Sequence, residues 1–341
     1  MTARVFTVEP ASRRIRLDVF LAAAMAPEYS RSRIARMIRA GAVSVNDART
    51  GDPAHALRPG DRIGVAPLPL AEPSERRNEP AFVPPVAVLY ADEEVIVIDK
   101  PAGMVVHPAP GSPGPTLVDA LLRQFPDLAA MAEPGAVMRP GIVHRLDKET
   151  SGVMVIARTP YARMELSRQF KDRTVRKLYL AVVRGIVGRE AQVVARPLGR
   201  HPTERQRMST RSRRPREAST SIAVLHRFDE RGEGNPASTL VRAIPATGRT
   251  HQIRVHLASI GHPCLGDRLY GRAAAGEAGP FVRHALHALG LEFAHPRSGL
   301  RMRYSAPIPP DFRAFLEPRG IQLDPEAVAG WLTERSAANP G

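Results

Sequence analysis

The chain reads Gly141-Ile142-Val143-His144-Arg145-Leu146-Asp147-Lys148-Glu149-Thr150-Ser151-Gly152, followed at once by Val153-Met154-Val155-Ile156-Ala157. A polar, glycine-bounded run that ends in an unbroken apolar strand places polar side chains at the rim of a buried sheet. Asp147 stands between Arg145 and Lys148, in a loop that Gly141 and Gly152 allow to turn sharply. Its carboxylate is expected to stay ionised and to lie near the surface of a core. Aspartate is a competent covalent nucleophile. A strand-entry loop carrying a solvated ion pair would look the same, and these residues alone leave both readings open.

On the N-terminal side of this stretch, Val88-Leu89-Tyr90 and Val95-Ile96-Val97-Ile98 flank Asp92-Glu93-Glu94 as a strand hairpin. Lys100 to Pro108 then leads into a Gly/Pro loop, ordinarily a mere connection, and Thr116 with Asp119 is expected to cap a helix through Phe125. On the C-terminal side Thr159-Pro160 starts another helix, and residues 174–184 alternate as a strand with Tyr179 in its middle. A tyrosine so placed is ordinarily a core residue. Residues 196–216 are dense in arginine, as a mobile loop or a hairpin laid against phosphates. Thr239 to Ile244 reads as a strand. Thr250 is expected to cap a helix through Ile260, with Ile253, Leu257 and Ile260 on one face and Arg254 at its border. An arginine there is costly unless it meets an acid. Leu286 to Phe293 and Leu300 to Ser305 read as closing strands.

Upstream lies a compact unit. Ile15 to Leu21 begins one amphipathic helix, and Ser30 is expected to cap a second, with Ile34, Met37 and Ile38 as its apolar stripe and Arg31, Arg33, Arg36 and Arg39 on the other faces. Gly41 ends it; Ala42 to Asp47 and Leu57 to Ile63 supply strands and turns. Four arginines around one short helix suit backbone phosphates. Residues 67–87, rich in Pro, Glu, Arg and Ala, read as a linker.

The 341 residues exceed the usual single-domain size, and a 43% apolar fraction suffices for a proper core. Lys and Arg outnumber Asp and Glu by 49 to 34, a net charge of +15 made mostly of arginine, which points to a nucleic-acid partner. Cys264 is the one cysteine, so no internal disulfide forms. No window is long and apolar enough for a membrane span and the first residues hold no signal-like apolar run, so a cytoplasmic protein is expected, without a membrane partner and monomeric. His251 with His256, and His284 with His287, lack the acidic or thiol companions of a zinc site, so no metal is expected. Phosphate-cradling, dinucleotide and serine-elbow motifs are missing, which sets aside nucleotide hydrolysis, hydride transfer and serine hydrolysis.

Two resemblances follow. Arg16-Leu17-Asp18, Ser30-Arg31-Ser32-Arg33 and Val43 to Asn46 leading to Pro59-Gly60-Asp61 resemble the alpha-L RNA-binding domain that precedes many ribosomal RNA pseudouridine synthases. Residues 88–315 resemble the RluA-type pseudouridine synthases through Lys100 to Pro108, His144 to Gly152, Thr247 to Leu257, and His262-Pro263 with Gly266-Asp267. Glu149 stands where the family commonly has aspartate, which keeps the charge.

The resemblance implies an α+β fold: a mostly antiparallel curved sheet with flanking helices, plus a small N-terminal α/β RNA-binding domain. Its boundaries are 14–66 for the RNA-binding domain, 67–87 for the linker, 88–315 for the catalytic domain and 316–341 for a C-terminal tail. It implies an isomerase that converts uridine to pseudouridine in large-subunit ribosomal RNA or a pre-ribosomal particle, without a cofactor. Asp147 is then the catalytic aspartate, Tyr179 the stacking residue that assists proton removal at C5, and Arg254 the partner of the aspartate. Arg145 is the wedge that fills the place of a flipped base, with His144, Arg249 and Ile253 as further contacts and Arg31, Arg33 and Arg36 on the outer unit. The alternative is a noncatalytic RNA-binding or ribosome-assembly factor on the same fold.

Overall fold

The computed structural model describes residues 4–9, 15–25, 29, 31–66, 83–107, 114–131, 139–204, 206–229, 237–271, 279–323 and 325–333. Ser30, most of the 67–87 linker and the tip of the loop after His107 lie outside the described residues, as do the side chains of Arg33 and Arg36. The chain divides into two compact units.

In the N-terminal unit, strands Arg4–Thr7, Arg62–Val65, Val43–Val45 and Ala48–Arg49 pair in that order. Helices Leu17–Ala24 and Arg31–Arg39 bury Leu17, Leu21, Ile34 and Ile38 against Val43 and Ile63. Asn46 and Asp47 form the hairpin turn at φ 51° and 66°, the left-handed region these two residues tolerate best. The first helix begins later than its apolar pattern suggests. Ile15–Arg16 pairs instead with Ala56–Leu57, and the amides of Leu17 and Asp18 donate to the carbonyls of His55 and Pro53, which holds the entering chain extended. Asp18 is buried and accepts from Arg16 and from Arg31, the latter at 3.0 Å. Arg31 thus braces the unit through one nitrogen face while the rest of its side chain stays exposed.

The second unit is built on one sheet. Among the described residues its strands are β1 (Ala87–Ala91), β2 (Val95–Lys100), β3 (Ser151–Ala157), β4 (Arg176–Arg184), β5 (Ala191–Val194), β6 (Thr220–Phe228), β7 (Ser238–Pro245), β8 (Leu286–Ala294) and β9 (Arg301–Ser305). The order is β5-β6-β7-β4-β8-β3-β2-β1, with β9 also on β8. Every pair is antiparallel except β8 with β3, which meet only at His287–Ser151 and Ala288–Gly152. The sheet is therefore mostly antiparallel and, with its flanking helices, makes the unit α+β, as the family resemblance implied. Of the two strands read as closing the chain, β8 sits in the centre of the sheet, buried along almost its whole length.

That short parallel contact places the start of β3 in mid-sheet. Gly152 adopts φ 119°, and a Cβ there would fall inside contact distance of the Ala288 carbonyl, so only glycine fits. The chain preceding it, which carries Asp147, is delivered to the middle of the sheet.

Helices cover the sheet where caps start them. In α1 (Leu117–Gln124) Thr116 and Asp119 form a reciprocal capping box, and in α2 (Pro160–Lys171) Thr159 accepts from the Ala162 amide. Then α3 (Gln252–Ser259) departs from expectation: its cap residue is His251, not Thr250, and His251 makes no side-chain cap bond. Beyond α4 (Pro310–Leu316), the stretch read as a tail holds α5 (Pro325–Thr333), whose Val328 and Leu332 are buried in the core beside Phe312 and Phe315. The spacing of Val328, Trp331 and Leu332 is that of a helix face, too short to stand out from the sequence.

Candidate active site

A cleft of about 520 Å³ opens over the middle of the sheet. It is lined by the loop before β3, by Phe170, Lys171 and Arg173 at and just beyond the end of α2, by Val175 with Lys177 and Tyr179 of β4, by the turn into α3 from Pro245 to Arg254, and by Leu286 of β8. A bulge in the β4–β8 pairing falls between Leu178 and Tyr179, a common device for re-aiming a side chain. The sequence had marked Asp147, Tyr179, Arg254, Arg145, His144, Arg249 and Ile253, and all seven line this cleft. Arg31, Arg33 and Arg36 belong to the other unit.

Asp147 and Arg254 meet directly. Arg254 Nη1 donates to Asp147 Oδ2 at 3.0 Å, and the other edge of the guanidinium binds Asp267 twice, Nε to Oδ2 at 2.7 Å and Nη2 to Oδ1 at 2.8 Å. The Asp267 side chain is fully enclosed, that of Arg254 is 6% exposed and that of Asp147 19%. Burial opposes the guanidinium charge, but hydrogen bonds and charge from Asp267, and then from Asp147, outweigh it and raise the Arg254 pKa. Burial likewise opposes ionisation of Asp267, and the Arg254 hydrogen bonds overcome it, holding that carboxyl below its usual range. A permanently charged arginine pinned by a buried acid thus presents one fixed N–H to the partly buried aspartate.

The other walls are shaped by burial. Tyr179 is a half-buried phenol whose pKa is raised by burial and by the Asp147 charge, so it is present as a neutral ring. His144 accepts from the Val155 amide at 3.1 Å and stacks on Phe170 at 4.5 Å; burial lowers its pKa to about 3. The ring is therefore a neutral part of the wall. Arg145 stands exposed on the lip without a hydrogen bond or ion pair among the described residues. Arg249 donates to the Glu217 carbonyl at 3.1 Å. Lys177, pushed down to about 8 by burial, donates to the Thr247 carbonyl.

Behind the loop four residues grip its backbone and hydroxyls in succession. Lys100, wholly buried, donates to the carbonyls of Pro101, Met104 and Lys148, and burial lowers its pKa to about 7. Arg283 donates to the Glu149 carbonyl at 2.8 Å and pairs with Asp311. His284 meets the Thr150 hydroxyl at 2.8 Å and His287 the Ser151 hydroxyl at 2.9 Å. The loop expected to be a mere connection after Lys100 is thus part of the support of the site. No local sequence pattern marks Lys100, Arg283 or the two histidines for this task; only their burial in three dimensions does.

Burial lowers His284 to about 4 and His287 to about 3. Both bind protons more weakly folded than unfolded, so the stability they add is complete above pH ~6.5 and declines as pH falls toward those values. Unfolding at pH 5 is therefore expected to take up about two more protons from these residues than unfolding at pH 8. Denaturant titrations across that range check it: a flat stability between pH 7 and 5 in a variant with the acid-range carboxylates accounted for would show the histidines to be charged in place.

Comparison with known proteins adds to this geometry. Residues 94–259 match the RNA pseudouridylate synthase family and residues 15–63 match the S4 domain. An uncharacterized RNA pseudouridine synthase of Aquifex aeolicus is 40% identical over 94% of this chain and 95% of its own length. The chain belongs to the RNA pseudouridine synthase family. Ribosomal large subunit pseudouridine synthase D of Nitrosomonas europaea is 41% identical over 89% of this chain and 84% of its own. Among solved structures, human RNA pseudouridylate synthase domain containing 1 superposes with a TM-score of 0.59 at 26% identity, over 75% of this chain and 98% of that one. As a pseudouridine synthase it is an isomerase that carries an S4 RNA-binding domain. No helix among the described residues is long and apolar enough to cross a membrane, and no group of three His, Cys, Asp or Glu among them could hold a metal ion.

Proposed function

We propose that this pseudouridine synthase isomerises uridine in large-subunit ribosomal RNA, free or in an assembling particle, with Asp147 as its covalent nucleophile. The observation that carries this reading is the Asp147–Arg254–Asp267 chain at the base of an open cleft. Arg254 binds Asp147 Oδ2, which leaves Oδ1, 3.8 Å from His251 Nε2, as the oxygen free to react. A uridine must leave its stack to bring its glycosidic bond there, at a cost of a few kcal/mol. Arg145, exposed on the lip, is placed to fill the vacancy, and Tyr179 offers a neutral ring to the extruded base. Asp147 Oδ1 bonds to C1′ as the N1–C1′ bond breaks; the detached base turns, and C5 bonds to C1′ as the carboxylate leaves it. The C5 proton is lost, with Tyr179 assisting its removal, and N1 gains one, so no redox change or donated group is required.

The target is argued from the relatives, several of which carry the name ribosomal large subunit pseudouridine synthase D. The net charge of +15 suits an RNA partner. We further propose the division into an RNA-binding domain at 14–66, a linker at 67–87 and a catalytic domain from 88 onward, in a monomer that acts in the cytoplasm. Incubating the protein with ribosomal RNA tritiated at uridine C5 tests the reading: tritium release matched to new pseudouridines in the large-subunit RNA is expected. Protein that binds the RNA and releases none would instead be the noncatalytic assembly factor.

A further inference from the structure

The arginine-rich segment that the sequence left open, 196–216, folds among the described residues as a short hairpin, Gly199–Arg200 paired with Met208–Ser209. Arg211, Arg213, Arg214 and Arg216 beyond it are exposed. One side chain joins this hairpin to the cleft. The Met208 amide donates to the Tyr270 hydroxyl at 2.9 Å, and the same hydroxyl lies 2.8 Å from His251 Nδ1. His251 Nε2 in turn faces Asp147 Oδ1 at 3.8 Å. The Tyr270 ring packs against both arginines at this junction, with the Arg207 guanidinium 5.6 Å and the Arg254 guanidinium 5.1 Å from its centroid. Its own amide is tied to Asp267, the acid that anchors Arg254.

The proton positions follow from the partners. Burial, opposed by the Asp147 charge, lowers the His251 pKa, so the ring is neutral near pH 7 and carries one proton. A carboxylate facing Nε2 favours that nitrogen as the N–H, which leaves Nδ1 as acceptor. The Tyr270 hydroxyl, already accepting from Met208, then donates its single proton to Nδ1. A second, separate feature marks His251: it sits at φ 55°, left-handed for a residue with a side chain, as the cap residue of a helix to which its ring makes no cap bond. Strain of this kind persists where the surroundings hold a side chain in a required direction.

We infer that Tyr270 is a positioning residue that keys the arginine-rich hairpin to the active site, by fixing His251 with its Nε2–H toward the free oxygen of Asp147. Seating of an RNA backbone on the hairpin is then communicated to His251 through the Tyr270 hydroxyl, beside the packing of Leu198 and Met208 with Val255 of α3. The inference rests on the catalytic reading of Asp147 given above, but its first test does not.

In protein labelled with ¹⁵N at histidine, long-range proton–nitrogen spectra should show His251 as the Nε2–H tautomer, and Tyr270→Phe should lose that fixed assignment. A wild-type Nδ1–H tautomer, or a tautomer unchanged by Tyr270→Phe, overturns the inference whether or not the protein is active. In single-turnover tritium release, Tyr270→Phe should slow the step about tenfold, the worth of one hydrogen bond of about 1.4 kcal/mol, with KM for RNA little changed. His251→Asn, which tolerates the left-handed backbone, should slow it similarly, and the double variant should be no slower than the slower single one. Effects that multiply, or that fall on KM alone, would show that Tyr270 only supports the fold. A wild-type protein that releases no tritium but keeps the Nε2–H tautomer would instead overturn the catalytic reading.

Discussion

Asp147→Asn is expected to lower tritium release from C5-labelled RNA by at least about four orders of magnitude, with RNA binding little changed. The amide has nearly the shape of the carboxylate, and its oxygen can still accept from Arg254 Nη1, which binds Asp147 at 3.0 Å in the wild type. What it lacks is the anionic oxygen that the proposed mechanism requires to bond to carbon. The loop itself should persist, because Lys100 and Arg283 hold the carbonyls of Lys148 and Glu149, and His284 and His287 hold the hydroxyls of Thr150 and Ser151. None of these contacts involves the side chain being changed. Asp147→Ala should be equally inactive while opening the Arg254 edge to water. Release within about tenfold of wild type in either variant would remove Asp147 from the mechanism.

The second large effect is expected at Arg254, on stability as well as on rate. Arg254→Met leaves Asp267 enclosed with its two strongest hydrogen bonds gone. Stranding a buried charge in this way costs about 3–5 kcal/mol, and denaturant unfolding at pH 7.5 measures it. The pH dependence identifies the cause. In the wild type the Asp267 pKa is depressed, so its contribution is present above the unfolded pKa of about 3.9 and is lost only as pH falls through the lower folded value. In the variant, two backbone amides remain on Asp267 but the opposing charge is gone, so burial raises that pKa and the carboxyl destabilises the fold increasingly as pH climbs from about 4. The deficit should therefore shrink on acidification. A deficit independent of pH would mean that packing against Tyr270, not charge, is what Arg254 supplies.

Much of this was legible in the sequence where the signal is local. Thr116 with Asp119 and Thr159 with Pro160 are capping patterns whose partners lie within three residues, and each starts a helix. The loop before Val153 advertised a rim position because polarity changes abruptly there. Arg254 was legible as an arginine in need of an acid. That it needs two, with Asp267 the tighter, was not, although Gly266-Asp267 stood among the quoted motifs: a pairing across 13 residues through a turn leaves no periodicity. Thr250 looked like a cap because threonine usually is one; the observed start at His251 reflects tertiary contacts to Tyr270 and Asp147 that outweigh local preference. The central position of β8 has a signal in its composition. Leu286 to Phe293 is nearly continuous in apolar residues, the pattern of a strand covered on both faces and not of one at an edge.

The central place of β8 also bears on when the enzyme comes into existence. A ribosome makes the chain from its N terminus, and Asp147, Tyr179 and Arg254 all emerge before β8 does. Until residues 286–294 are available, β3 and β4 each lack the neighbour that lies between them in the finished sheet, and Gly152 has no Ala288 to lie against. Arg283, His284 and His287, which hold the loop, arrive in the same late stretch. A nascent chain in which Asp147, Tyr179 and Arg254 are already translated therefore lacks the central strand over which its cleft is built until about the last sixth of this sequence is made.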